Sequence, residues 1–201
     1  MIMNCIKKLV CASLLLLPMS APAQTTTYTP SKEQLEARKR FENARLGIFL
    51  HWGIYSTFAQ GEWYMQNVGI NRQEYAKAAN AFYPHDFDAN RWIKAIKEAG
   101  AGYICFTTRH HDGFSMWDTK QSDFNIMHTP YGKDVVKQLA DACHHQGIGL
   151  HFYYSHIDWT RDDYPMGVTG RNTGKDATKA NWSSYYRFMN AQLTELLTQY
   201  G

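Results

Sequence analysis

The chain has 201 residues, 44% of them apolar and 19% charged, with a formal charge of +3. That length suits about one domain, and so small a charge excludes a surface built on electrostatic attraction to nucleic acid or an anionic membrane. Aromatic residues reach 14% and gather near the ends of the expected strands, a composition suited to stacking on sugars and also to ordinary core packing.

Lys7 and Lys8 precede an apolar run from Leu9 to Leu17, and Ala21-Pro22-Ala23 offers a small-residue cleavage site before Gln24. This order predicts a secretory signal peptide over residues 1–23, because the run is too short to span a bilayer. A buried N-terminal helix is the alternative, and no amphipathic pattern supports it. Export to the periplasm or beyond follows. Cleavage would remove two lysines and no acid, bringing the remainder close to neutral. It would also remove Cys5 and Cys11, leaving Cys105 within an expected strand and Cys143 on the apolar side of an expected helix. A disulfide is open in an exported protein, but two buried free thiols suit those positions better.

Residues 24–40 read as a polar leader followed by a charged helix that starts at Lys32 and runs on to Asn43. The run Leu46-Gly47-Ile48-Phe49-Leu50 is expected to be a strand buried on both faces, and it ends in His51-Trp52-Gly53. A loop through Gly61-Glu62-Trp63-Tyr64 leads to a short helix, Gln73 to Ala81, and a second loop, Phe82 to Phe87. Asp88 or Asn90 can cap the next helix, with Trp92, Ile93, Ile96 and Ala99 on one side and Gly100 at its end. The strand Tyr103 to Thr108 runs into His110-His111-Asp112-Gly113, followed by a long loop to Lys133. A helix from Asp134 to His145 places Val135, Val136, Leu139, Ala140 and Cys143 on one stripe before Gly147. The third strand, Leu150 to Ser155, runs into His156-Ile157-Asp158-Trp159. The last helix, Asn181 to Tyr200, presents Tyr185, Phe188, Met189, Leu193, Leu196 and Leu197.

Strand, long loop, helix, glycine, strand is the rhythm of βα units in a parallel sheet. Three such strands cannot close a barrel, and the last is expected to leave an open edge. All the long loops follow strand C-termini, where barrel enzymes build their sites. If the strands are neighbours, their tips converge as a pocket of imidazoles, indoles, phenols and one or two carboxylates. Such groups bind vicinal hydroxyls while an aromatic ring covers the apolar face of a sugar. A metal site is the competing reading. His51, His110 and Asp158 would supply it, but His110 and His111 are expected to point to opposite sides, and no H-x-H or H-E-x-x-H spacing is present. Nucleophilic serine or cysteine chemistry has less support, since no G-x-S-x-G occurs.

Three segments carry a family resemblance: Gly47-Ile48-Phe49-Leu50-His51-Trp52-Gly53 with Gly61-Glu62-Trp63-Tyr64, Thr107-Thr108-Arg109-His110-His111-Asp112-Gly113-Phe114, and Tyr153-Tyr154-Ser155 with Asp158-Trp159. Together they closely resemble the retaining α-L-fucosidases of glycoside hydrolase family 29, over about residues 41–201, with Arg109 where lysine is more usual. The resemblance implies the N-terminal part of a (β/α)8-type TIM barrel, about three βα units of it, in an α/β enzyme that removes terminal α-L-fucose from fucosylated glycans. It implies no cofactor and no metal. By motif match, His51, Glu62, Trp63, His110 and His111 line the fucose pocket, joined by one of Tyr153 and Tyr154.

Retaining hydrolysis needs two carboxylates roughly 5–5.5 Å apart. In this family the nucleophile is an aspartate ending the fourth strand and the acid/base lies farther on, so both are expected beyond Gly201. Asp112 is expected to order its turn, and Glu62 alone does not make a retaining enzyme. The chain is thus expected to be a fragment without the nucleophile. The alternative is a truncated product that binds sugar or a partner without hydrolysis.

Overall fold

The computed structural model describes residues 28–201, so the expected signal peptide lies outside the described residues. The described residues fall into two units, 28–39 and 40–201. In the described part of the first, helix α1 (Lys32–Asn43, whose last residues belong to the larger unit) begins with a reciprocal cap. Ser31 Oγ accepts from the Gln34 N–H, and Gln34 Oε1 accepts from the Ser31 N–H.

The larger unit is built around three parallel strands, β1 (Gly47–Leu50), β2 (Tyr103–Arg109) and β3 (Gly149–Tyr154), in the order β1-β2-β3. Short helices α2 (Tyr64–Val68) and α3 (Arg72–Ala76) follow β1. Helix α4 (Ala89–Glu98) leads into β2, α5 (Val135–Gln146) into β3, and α6 (Trp182–Gln199) follows β3. Polar caps set the helix starts: the side chains of Asp88, Asp134 and Asn181 accept from the N–H groups of Arg91, Lys137 and Ser184. Gly147 closes α5 at φ 70°, a conformation that glycine adopts without a Cβ penalty.

The strand faces differ. Ile104 and Phe106 of β2 are wholly buried and join Ile48, Leu50, Leu150 and Phe152 in the core with Ile93, Val136, Leu139 and Cys143. On the opposite face the registered row Phe49–Cys105–His151 is open, with Phe49 52% exposed. The expectation that the first strand is buried on both faces is therefore corrected: helices cover one face, and among the described residues no layer covers the other. At the N-terminal end of that open face the ring of Tyr103 lies across Gly47, where a Cβ would meet its ring atoms within 2.5 Å. Phe41 packs on Tyr103 and His151 at 5.3 and 5.5 Å between ring centroids.

Other differences are local. The segment read as a loop after β1 holds a 3-10 turn, Ile54–Phe58, and α2. The helix expected over Gln73 to Ala81 is α3 continued by a 3-10 turn, Lys77–Ala81. Cys105 is half-buried and Cys143 buried, and both are free thiols. Leu197 is exposed rather than on the buried stripe of α6, where two polar residues, Gln192 and Glu195, are buried instead.

Those two residues dock the loop after β2 onto α6. Glu195 accepts from Trp117 Nε1–H, the Lys120 N–H and Gln121 Nε2–H at 2.9–3.0 Å. Gln192 accepts from Tyr154 Oη–H (2.8 Å) and donates to Ser115 and Thr119 hydroxyls. Burial pushes the Glu195 carboxyl up, and hydrogen bonds from Thr119, Gln121, Lys120 and Trp117 outweigh it, holding it below its usual value. Its contribution is therefore present above the unfolded carboxyl pKa and is lost as pH falls through the lower folded value. Glu195→Ala leaves the Trp117, Lys120 and Gln121 donors without this acceptor and is expected to cost about 2–4 kcal/mol in urea denaturation. Glu195→Gln should cost less, because the amide keeps one acceptor oxygen.

Candidate active site

The sheet register shifts between Thr107 and Arg109: Thr107 pairs with Tyr153, and Arg109 with Tyr154. Plain alternation would put Arg109 on the open face with Cys105 and Thr107. The irregularity turns it to the helix side, as bulges do where a side chain must be re-aimed. The next residue, His110, then swings to the open face. Its ring lies 5.0 Å from His51, 5.5 Å from Tyr55 and 5.8 Å from Tyr153, to which it is nearly parallel.

His110 and His111 do not point to opposite sides. Their ring centroids are 4.1 Å apart. Strand alternation has ended at Arg109, and the chain turns at once, with the Gly113 N–H donating to the His110 carbonyl (3.1 Å). His111 lies edge-on to Trp63 (5.5 Å) and beside Trp159 (5.1 Å). The expected site residues His51, Trp63, His110, His111 and Tyr153 thus form one continuous cluster at the strand C-termini. Glu62, partly exposed, is close enough for its charge to act on His51, His111 and Tyr153. Tyr154 lies elsewhere, on the helix side of β3, with its hydroxyl on Gln192 and its ring beside Trp117. Of the two tyrosines left open by the sequence, Tyr153 is the one on the histidine face.

Three further residues serve the cluster. Tyr55, on the 3-10 turn after β1, hydrogen-bonds His51 Nδ1 (2.8 Å) and Thr107 Oγ1 (3.2 Å). The Thr107 hydroxyl donates to the Trp52 carbonyl (2.8 Å), tying the first strand end to the second. Ser155 Oγ donates to the Ile157 carbonyl (2.8 Å) and so accepts from His111 Nδ1–H, leaving His111 Nε2 as a free acceptor. Tyr55 had no sequence signal, since the segment reads as a loop. Ser155 was visible as the end of an apolar strand and within the Tyr153-Tyr154-Ser155 segment, with no sign of its bond to His111.

Burial lowers the pKa of all three histidines. For His51, Glu62 opposes the effect. His111 is lowered by burial and His51, against Glu62. His110 is pushed furthest, to about 3, by burial and then by its two imidazole neighbours, and its Nδ1 is buried without a partner. Neutral imidazoles can both donate and accept, which is what binding a hydroxyl requires. The nearby acids are committed. Asp112, wholly buried and raised to about 6 by burial, accepts from Tyr75 Oη–H (2.7 Å) and the Phe114 N–H (3.2 Å). Asp158, equally buried, pairs with Arg109 and accepts from the Thr160 and Arg161 N–H groups and the Thr160 hydroxyl. Among the described residues no group of three or more metal-ligating side chains is assembled.

A family model described as Alpha-L-fucosidase matches residues 15–201. The chain belongs to the α-L-fucosidase family. The α-L-fucosidase of Dictyostelium discoideum is 28% identical over 86% of this chain and 42% of its own length. Alpha-L-fucosidase 1 of Arabidopsis thaliana is 30% identical over 86% of this chain and 29% of its own. Among solved structures, α-L-fucosidase isoenzyme 1 of Paenibacillus thiaminolyticus superposes with a TM-score of 0.76 at 37% identity, covering 81% of this chain and 40% of that one. A GH29 α-L-fucosidase of Bacteroides thetaiotaomicron, described as a trapped covalent intermediate with 2-fluoro-fucosyl fluoride, gives 0.75 at 32% identity, covering 86% and 41%. The chain therefore spans less than half the length of these relatives, and over that span it shares the α/β fold of fucosidase catalytic domains.

Because His110 is held neutral in the folded chain, the unfolded chain binds one more proton between about pH 6.5 and pH 3. Stability is expected to be fully present above that window and to fall as pH drops through it. His110→Gln should reduce proton uptake on unfolding at pH 5 by nearly one, measured by calorimetry in buffers of different ionisation enthalpy.

Proposed function

We propose that the chain is the sugar-recognition part of a retaining exo-α-L-fucosidase that hydrolyses terminal α-L-fucose from glycans. The observation that carries this reading is the cluster of neutral histidines with Tyr153, Trp63 and Glu62 at three adjacent parallel strand ends. In this reading His51, His110, His111 and Tyr153 hydrogen-bond the fucose hydroxyls, Glu62 accepts from one of them, and Trp63 packs on the apolar face of the pyranose. The sheet is the first part of a (β/α)8 barrel spanning residues 41–201, after a leader and charged helix over 24–40. The open Phe49–Cys105–His151 face supports this, because all-parallel sheets are covered on both faces. The order of Lys7-Lys8, the apolar run Leu9 to Leu17 and Ala21-Pro22-Ala23 supports reading residues 1–23 as a signal peptide and the protein as exported. No cofactor is invoked, and no helix among the described residues is long and apolar enough to cross a membrane.

The carboxylate inventory supports placing the chemistry outside the described residues. Inversion of the anomeric centre twice needs a nucleophile and an acid/base flanking one bond. Asp112 and Asp158 are enclosed and fully hydrogen-bonded, which leaves Glu62 without a second carboxylate. The nucleophile and acid/base are accordingly assigned beyond Gly201. The same inventory favours, as the second reading, a product that holds sugar without cleaving it.

The 201-residue chain is expected to bind L-fucose and to release no nitrophenol from a 4-nitrophenyl α-L-fucoside above background. His111→Ala should weaken fucose binding by about tenfold or more, as loss of a charge-free but buried hydrogen bond costs about 1–3 kcal/mol. Turnover that disappears in Glu62→Ala would overturn the placement of the nucleophile. An in-frame coding continuation opening with a strand that ends in aspartate is the expected finding downstream of codon 201.

A further inference from the structure

Arg109 and Asp158 are buried, 1% and 0% exposed, and paired through Nη2 and Oδ2. Neither reaches the open face where the histidines stand. The guanidinium lies over the rings of Tyr154 (5.5 Å) and Phe188 (5.3 Å), while its Nε and Nη1 have no hydrogen-bond partner. A buried pair of this kind contributes little net stability compared with apolar groups of the same volume, because desolvation cancels much of the attraction. Its geometry says what else it does.

The pair joins the tips of β2 and β3. Asp158 Oδ1 accepts from the N–H groups of Thr160 and Arg161 at 2.7 and 2.8 Å and from the Thr160 hydroxyl, shaping the turn that carries Trp159. The Trp159 N–H then donates to the His111 carbonyl (2.7 Å), and the Ser155 N–H donates to the Arg109 carbonyl (2.9 Å). Gly113, at φ 80°, sits directly against this assembly. A Cβ there would meet Thr160 Oγ1 at 2.3 Å, with Arg109 Nη2 and Asp158 Oδ1 at 3.4 Å. The His110–Gly113 turn is thus seated on the ion pair from one side, and Trp159 hangs from it on the other. The Trp159 ring in turn packs on Trp63 (5.2 Å) and His111 (5.1 Å).

We propose that the Arg109–Asp158 pair is a positioning device that sets His111, Trp159 and, through Trp159, Trp63 for the pyranose without touching the sugar. The proposal rests on the fucose-binding reading for its ligand, and its structural half is independent of that reading. Neither residue is a catalytic residue.

The test compares the full chain with the charge-neutral double variant Arg109→Met/Asp158→Asn, which keeps the Oδ1 acceptor and the side-chain volume, and with Arg109→Lys, which keeps the charge. Melting temperature, amide exchange at Trp159, the indole resonances of Trp63 and Trp159, and L-fucose affinity by titration are read together. The double variant is expected to melt close to the parent, to exchange the Trp159 amide about tenfold faster, to shift both indole signals, and to bind L-fucose about tenfold more weakly, a change equivalent to about 1.4 kcal/mol. Arg109→Lys should restore the Trp159 protection and most of the affinity. If the double variant unfolds, Arg109→Lys alone decides, by retaining or losing the parent indole shifts and affinity at the parent melting temperature. Unchanged Trp159 exchange and unmoved indole signals in a folded double variant would overturn the proposal. A parent chain that binds no L-fucose would overturn the functional reading instead, and the exchange and indole measurements would still decide whether the pair positions His111 and Trp159.

Discussion

One irregular step in the β2–β3 ladder, between Thr107 and Arg109, decides what each face of the strand tip carries. Without it the guanidinium of Arg109 would stand among the imidazoles and His110 would turn toward the helices. With it, a permanent positive charge is taken out of the cluster and neutralised by Asp158 in the layer beneath. The guanidinium is no longer among the imidazoles, its effect on His111 is opposed by Asp158, and burial is the largest cause that lowers the pKa of all three histidines. A neutral hydroxyl-rich ligand suits that setting, and an anion does not.

The same end of the sheet shows how the acids are handled. Asp112 and Asp158 follow the two principal strand tips, but each is spent on its own turn and its own partner. Tyr75, from α3, and the Asp112 carboxylate hold the His110–Gly113 turn from the side of the first βα loop. Gln192 and Glu195 hold the rest of the loop after β2 from α6. The cluster is thus braced by elements on both sides of β2, through polar bonds added to the apolar packing of Phe114, Met116 and Trp117, and such bonds fix orientation more sharply than contact alone.

How much of this was legible in the sequence follows from which interactions are local. Helix starts were readable because Asp88, Asp134 and Asn181 cap within three residues of themselves. The strands were readable as short apolar runs, and the identity of the site residues came from the motif resemblance at their ends. What was not readable depends on cross-strand register. The bulge sets both the face of Arg109 and the approach of His110 and His111, and nothing in Thr107-Thr108-Arg109 announces it. The choice between Tyr153 and Tyr154 follows from the same register. Tyr55 was hidden because its turn has no periodicity, and Gln192 and Glu195 were hidden because a buried polar residue on a helix looks like a solvent-facing one until its partners are known. The open face of the sheet escaped notice because an apolar run does not say which of its sides is covered.

Gly113 carries a further consequence. Its left-handed backbone and the Thr160 hydroxyl, which stands against the place a Cβ would take, leave no room for any side chain between the two strand tips. The spacing between those tips is therefore set by an absent atom rather than by a present one. Loops on either side attach beyond this spacing, so a change in their length or composition would leave it in place. The two strand tips are thereby held as one rigid unit, and the loops are free of that constraint.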